Sequence, residues 1–176
     1  MEAPGLAEGE ERDRAVPGNR PEGQSSRSPS ELSLSLSLSQ REVWLDQRAW
    51  PQSVHLNIGG GGFLDGPLNL ALFKAALNQL VAENQALRLL PQLDGTQLLL
   101  DHFEPTLEIV DLKNAADPEQ AMQAWWQSSI REPFEMHAGP PWRFALLQVN
   151  ENLHGVLMQF HHVVMDGWGT SLVMQR

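Results

Sequence analysis

Leu153-His154-Gly155-Val156-Leu157-Met158-Gln159-Phe160-His161-His162-Val163-Val164-Met165-Asp166-Gly167 is the stretch on which the fold turns. Residues 153–162 are rich in apolar side chains, as are residues 142–149 before them, and Asn150-Glu151-Asn152 links the two runs. Two adjacent strands are predicted, apolar enough to be central in a sheet. Side chains alternate along a strand, so Met158, Phe160 and His162 share one face and Leu157, Gln159 and His161 the other. The two histidines therefore cannot do the same job if both lie on the strand. One faces a site, the other packs or hydrogen-bonds behind it, and parity alone does not say which.

Outward from these strands, the pattern mixes helices with hairpins. Ser37 or Ser39 can cap a helix in which Val43, Trp44 and Gln47 share a face, ended by Pro51. Residues 54–58 read as a strand, and Gly59-Gly60-Gly61-Gly62 then either breaks it or allows close backbone approach. Asn69 caps a helix over 70–84 with Phe73, Ala76, Leu77, Leu80 and Asn84 on one stripe. Residues 88–93 and 96–102 form a hairpin around Asp94-Gly95, and Pro91 puts its first arm at a sheet edge. Residues 106–110 are a short strand. Asp117-Pro118-Glu119-Gln120 opens a helix with Met122, Trp125, Trp126 and Ile130 inward, ended by Pro133. The fold class is α/β (α+β), a mixed sheet covered by helices.

Residues 1–31 are rich in Gly, Pro, Ser, Glu and Arg and predict a disordered tail before a domain over 32–176. The alternating Leu and Ser of 32–39 fit a strand or a linker ending in a short extended piece. With 22 acidic and 12 basic residues in 176, the net charge is −10, which argues against a nucleic-acid partner. The chain has no cysteine, so disulfides, thiolate catalysis and cysteine-based zinc sites are excluded, and a cytoplasmic location fits. No apolar run is long enough to cross a bilayer, and residues 1–20 are no secretory signal. The glycine run is not followed at once by a helix N-terminus, as a phosphate cradle requires.

A histidine is the usual general base near neutral pH. If Gly167 turns the chain into a helix, that helix starts with free N–H groups near the histidines, which favour developing negative charge. A base plus N–H donors is the equipment for acyl transfer in which the acceptor itself attacks. A buried, hydrogen-bonded histidine pair with Asp166 as a helix cap is the non-catalytic alternative. His161, His162 and Asp166 are metal ligands by type, but adjacent strand histidines diverge and no third convergent ligand is evident. A buried carboxylate needs a cation or several N–H donors, and Arg88 and Arg143 are the candidate partners of Asp166.

These residues resemble the condensation domains of nonribosomal peptide synthetases, members of the chloramphenicol acetyltransferase-like superfamily. Their signature His-His-x-x-x-Asp-Gly matches at His161, His162, Asp166 and Gly167. Residues 37–44 are similar to the family's Ser-x-Ala-Gln-x-x-x-Trp, with Ser39 for Ala. Asn57-Ile58 resembles its Tyr-Asn-Ile, with Leu56 for Tyr. Residues 64–88 follow its Leu-x-Gly-x-Leu, helix, His-Glu-x-Leu-Arg order, with Asn84-Gln85 for His-Glu. Pro133-Phe134-Glu135 and Gly139-Pro140-Pro141-Trp142-Arg143 resemble its Phe-Asp-Leu and Gly-Pro-Leu-x-Arg segments.

The resemblance implies amide formation. A donor acyl group arrives as a thioester on the 4'-phosphopantetheine of a carrier domain, or as acyl-CoA, and the amine of a carrier-bound aminoacyl group attacks it. No cofactor of the domain itself is implied. His162 is the implied catalytic residue, as base or as the group that orients the amine and steadies the tetrahedral intermediate. His161 supports it, Asp166 pairs with Arg88, and the Gly167 N–H lies near the oxyanion. The family has two lobes. This chain stops at Arg176, in a helix of about two turns that is marginal alone, so the second lobe is expected to be missing and the chain to be inactive by itself. That lobe, an adenylation domain and carrier domains are the expected partners. Met1 lies near the domain start, which fits a starter domain acylating the first amino acid of a lipopeptide; an elongation domain with residues 1–31 as docking tail is the rival.

Overall fold

The computed structural model describes residues 31–175. In chain order the elements are β1 (Glu31–Ser35), α1 (Leu38–Ala49), β2 (Asn57–Asp65), α2 (Leu70–Glu83), a 3-10 turn (Gln85–Arg88), β3 (Leu89–Pro91), β4 (Thr96–Leu100), β5 (Leu107–Asp111), α3 (Pro118–Ser129), β6 (Trp142–Asn150), β7 (Leu153–His161) and α4 (Gly167–Met174). The tail assigned to 1–31 lies outside the described residues except for Glu31, which β1 takes in.

The strands form two sheets rather than one. A four-stranded sheet has the order β2-β7-β6-β5, and a three-stranded sheet the order β1-β4-β3. The apolar strands β6 and β7 are central, as their composition predicts. Only β5 and β6 run parallel in the larger sheet, and α3 makes the crossover that a parallel pair requires. In the smaller sheet, Gly95 turns the β3–β4 hairpin with φ of 82°, a value that favours glycine. Pro91 lies on the edge strand β3, where its missing N–H costs no ladder bond. The alternating Leu and Ser run is a strand only to Ser35, pairing with β4.

Both faces of the larger sheet are packed. Trp142, Phe144, Met158 and Phe160 on one face meet Trp44 of α1, Leu77 and Val81 of α2 and Val173 of α4. Ala145, Leu147 and Val149 on the other meet Met122 of α3. Serine, asparagine and aspartate cap these helices as their positions predict. Ser37 and Gln40 form a reciprocal capping box on α1, Asn69 accepts from Ala71 and Leu72 N–H, and Asp117 accepts from Gln120 N–H before Pro118. The stripe expected on α2 is only partly buried. Leu77 and Val81 are inside, Phe73 and Leu80 are half-buried, and Ala76 is exposed. Phe73, Ala76, Leu77 and Leu80 border a groove of about 760 Å³ that is also lined by Gly62, which offers no side chain to fill it. No described helix is long and apolar enough to cross a membrane.

The strand expected over 54–58 is displaced. Residues 54–56 are turn, and β2 starts at Asn57 and runs straight through the four glycines, in antiparallel register with β7 from Asn57 against His161 to Asp65 against Leu153. The glycines do not break the strand; two of them allow close approach. A Cβ on Gly59 would lie 2.7 Å from the Met158 carbonyl oxygen, and one on Gly61 would lie 2.6 Å from that of Val156. A Cβ on Gly60 would meet nothing within 4 Å. Urea unfolding should therefore separate neighbours: Gly59→Ala is expected to destabilise the domain by about 1–3 kcal/mol, whereas Gly60→Ala leaves it unchanged or raises stability by about 0.5–1 kcal/mol. Equal effects would show that the backbone contact at Gly59 is not the constraint.

Candidate active site at the end of the central strand

β7 ends on His161, which pairs with Asn57 at the start of β2. The next residues, 162–164, form a turn, and α4 begins at Gly167. His161 is 1% exposed, whereas His162 is exposed. Strand parity left open which histidine faces outward; the structure decides it, because His162 lies one residue beyond the strand, on the turn.

Both ring nitrogens of His161 are used. Nε2 donates to Gln47 Oε1 at 2.9 Å, and Nδ1 accepts the Val163 N–H at 3.1 Å. Gln47 of α1 is itself buried, and its amide nitrogen faces the carbonyls of Trp50, Pro51 and Ser53 at 3.2, 3.1 and 3.2 Å. Those three acceptors orient the amide with its oxygen toward the imidazole, which makes Nε2–H the tautomer of His161. Phe134 meets the imidazole edge-on, centroids 6.2 Å apart, and Arg143 lies 4.5 Å over the Phe134 ring. Burial first, then the neighbouring His162 and His55, push the His161 pKa from 6.5 down to about 4. His161 is therefore neutral at physiological pH and supports the turn rather than exchanging protons.

The side chain of His162 differs in exposure and in partners. Its backbone N–H donates to the Leu56 carbonyl at 2.9 Å, and its imidazole makes no hydrogen bond among the described residues. Val163 and Val164 behind it are buried in the core, so the turn is anchored from below.

Asp166 and Gly167 begin α4. The Asp166 carboxylate accepts the Gly169 N–H at 2.7 Å, and its carbonyl accepts the Thr170 N–H at 2.9 Å. The N–H groups of Gly167 and Trp168, first in the helix, have no partner four residues back within it and point from its positive end. The expected Asp166–Arg88 ion pair is not formed. Arg88 donates instead to the carbonyls of Leu100 at 2.6 Å and Asp101 at 3.0 Å, binding the 3-10 turn to the end of β4. Nor does Arg143 reach Asp166: it pairs with Glu132 at 3.2 Å and donates to the Pro133 carbonyl at 2.8 Å. The premise of that expectation was a buried carboxylate. Asp166 is exposed, so water and a single cap bond suffice.

The structure thus brings together His161, His162, Asp166 and Gly167 and places Arg88 elsewhere. Sequence reasoning missed Gln47 and Gln40. Gln40 Nε2 donates to the Val163 carbonyl at 3.0 Å and to Gln97 at 3.1 Å. The available signal was a glutamine on the apolar face of α1, beside Val43 and Trp44, where a polar side chain must find a partner.

The low pKa of His161 has a consequence for stability. An unfolded histidine binds its proton near pH 6.5 and the folded one near 4, so between these values the unfolded state binds more protons. Stability is full above about pH 6.5 and falls as pH drops toward 4, by about 3 kcal/mol in all. Urea melts across pH 4–7 should show this component in the parent and lack it in His161→Gln. Parallel pH profiles for the two proteins would contradict the assignment.

The family model described as Condensation domain matches residues 31–176. Dimodular nonribosomal peptide synthase of Bacillus subtilis is 28% identical over 149 residues, covering 83% of this chain and 6% of the relative. Isonitrile lipopeptide synthase of Streptomyces coeruleorubidus is 30% identical over 141 residues, covering 78% of this chain and 10% of the relative. The solved starter condensation domain of rhizomide synthetase RzmA superposes with a TM-score of 0.74 at 32% identity, over 82% of this chain and 37% of that one. The chain therefore spans only a small part of its curated relatives and much less than the whole of the solved domain. Its family model, its relatives and the sheet that carries its histidines agree: the chain belongs to the condensation-domain family of nonribosomal peptide synthetases, and it forms the N-terminal lobe of such a domain.

Proposed function

We propose that this lobe supplies the general base for amide formation between a donor acyl thioester and the amine of a carrier-bound aminoacyl acceptor. Condensation domains are amide-forming acyltransferases. The observation that carries the assignment to residues is the division of labour in the histidine pair. His161 is buried, neutral and hydrogen-bonded at both nitrogens, while His162 presents a free imidazole just before a helix N-terminus.

In this reading the acceptor amine attacks the thioester carbonyl while His162 takes its proton. The N–H of Gly167 steadies the oxyanion, which then collapses with cleavage of the C–S bond. The C–N bond remains, and His162 returns the proton to the departing thiolate. The balance is amine plus thioester to amide plus thiol, with no resident cofactor; phosphopantetheine or CoA enters as part of the substrate. The second lobe, an adenylation domain and carrier domains are the proposed partners in the same assembly line.

The finer proposal is a starter role, with a fatty acyl donor and an N-acylated first amino acid as product in lipopeptide assembly. Its support is the similarity to the rhizomide synthetase starter domain, a form of which is solved in complex with C8-CoA and Leu-SNAC. A relative that is a lipopeptide synthase points the same way. The rival is an elongation domain that takes its donor from a carrier.

In the complete synthetase that carries this lobe, His162→Ala is expected to lower amide formation by about 10²–10⁴-fold without unfolding the domain. A carrier-binding scaffold would keep its product yield. Fatty acyl-CoA should outcompete a carrier-bound peptidyl donor; the reverse preference would replace the starter role by elongation. The 176-residue chain alone should give no turnover, since it spans 37% of the solved starter domain; turnover by the isolated chain would overturn that expectation.

A further inference from the structure

Two glutamines of α1 hold the histidine turn from one side. Gln40 and Gln47 are seven residues apart, about two helical turns, and so lie on one face. Gln47 grips the His161 ring: its oxygen accepts Nε2–H at 2.9 Å, while its nitrogen is occupied by the carbonyls of Trp50, Pro51 and Ser53. Rotating the amide would set its oxygen against those three carbonyls and its N–H groups against the imidazole N–H. Gln47 therefore dictates that Nδ1 of His161 keeps its lone pair. That lone pair takes the N–H of Val163, the residue after His162.

Gln40 holds the other side of the same residue, donating to the Val163 carbonyl at 3.0 Å. Gln40 is itself set in place by the Ser37 capping box and by Gln97 of β4. With the His162 N–H on the Leu56 carbonyl, the backbone on both sides of His162 is pinned. The His162 side chain is exposed and projects free of these bonds.

We propose that Gln47, seconded by Gln40, is the positioning residue of the site: through the tautomer of His161 it sets the turn that aims the His162 imidazole. The proposal rests on the reading that His162 performs the proton transfer. It predicts a loss that appears in turnover, because a misaimed base still lets substrates bind.

The experiment uses the complete synthetase for kinetics and the ¹⁵N-labelled condensation domain for NMR. Gln47→Leu removes the acceptor and should cost about 10²-fold in kcat, with KM for both substrates within about threefold. The His161 nitrogen shifts should depart from those of a pure Nε2–H tautomer. In a His162→Ala background the same substitution should cost nothing further, since the group it positions is gone. Should Gln47→Leu not fold, Gln40→Met, which frees the Val163 carbonyl, should lower kcat by about tenfold with the same loss of effect beside His162→Ala. A folded Gln47→Leu variant with kcat within threefold of the parent would overturn the proposal. So would a loss that persists in full beside His162→Ala, which would mark an effect on the fold. Should His162→Ala itself keep full activity, the functional reading falls and this proposal with it, even where the NMR shows the tautomer as expected.

Discussion

The hydrogen bond from His161 Nε2 to Gln47 Oε1 joins the first helix to the end of the central strand across 114 residues of sequence. Around it the parts of the site take their places. The imidazole is buried, so each nitrogen must be matched, and leaving Nε2–H without an acceptor would cost about 1–3 kcal/mol. Because it is matched by a neutral amide rather than a carboxylate, nothing offsets the cost of charging the ring. It stays neutral with a lone pair on Nδ1, and that lone pair folds the backbone back at Val163. The turn then carries His162 out of the sheet and delivers the chain to Asp166, which starts α4.

The larger sheet gives this turn a rigid base. β7 is flanked by β6 and β2, and side chains cover both faces. The glycines of β2 let its backbone lie against β7 where a Cβ at Gly59 or Gly61 would strike a carbonyl. On the outer side, Arg143 holds the loop through Pro133 and lies over Phe134, whose ring meets His161. The segment Pro133-Phe134-Glu135 and the arginine of Trp142-Arg143 are thus a buttress for the buried histidine, reached from the face opposite the aromatic cluster of Trp142, Phe144 and Phe160.

Local signals were legible wherever one residue type settles a local question. Ser37, Asn69 and Asp117 cap helices because their side-chain oxygens meet the free N–H groups of a first turn, a matter of neighbours in sequence. The apolar runs of β6 and β7 marked central strands, and Pro91 an edge. Local signals failed where a distant partner decides. Residues 54–56 have strand-forming composition yet form a turn, while glycines that would weaken an isolated strand are held in β2 by pairing with β7. The spacing of α2 predicted a full apolar stripe, but burial needs an opposing surface, and beside Gly62 there is a groove instead.

The sequence by itself determined the chemistry on offer: two adjacent histidines at the end of an apolar run, an Asp-Gly helix start, and an ordered set of motifs that identifies the condensation family. Only the tertiary structure decided how the pair divides. His161 is locked by an amide 114 residues away in sequence, and His162 is released one residue beyond the last strand pair. It also removed the Asp166–Arg88 pair, because whether a carboxylate needs a cation depends on its burial. Burial, like a long-range hydrogen bond, is a property of what the rest of the chain brings alongside.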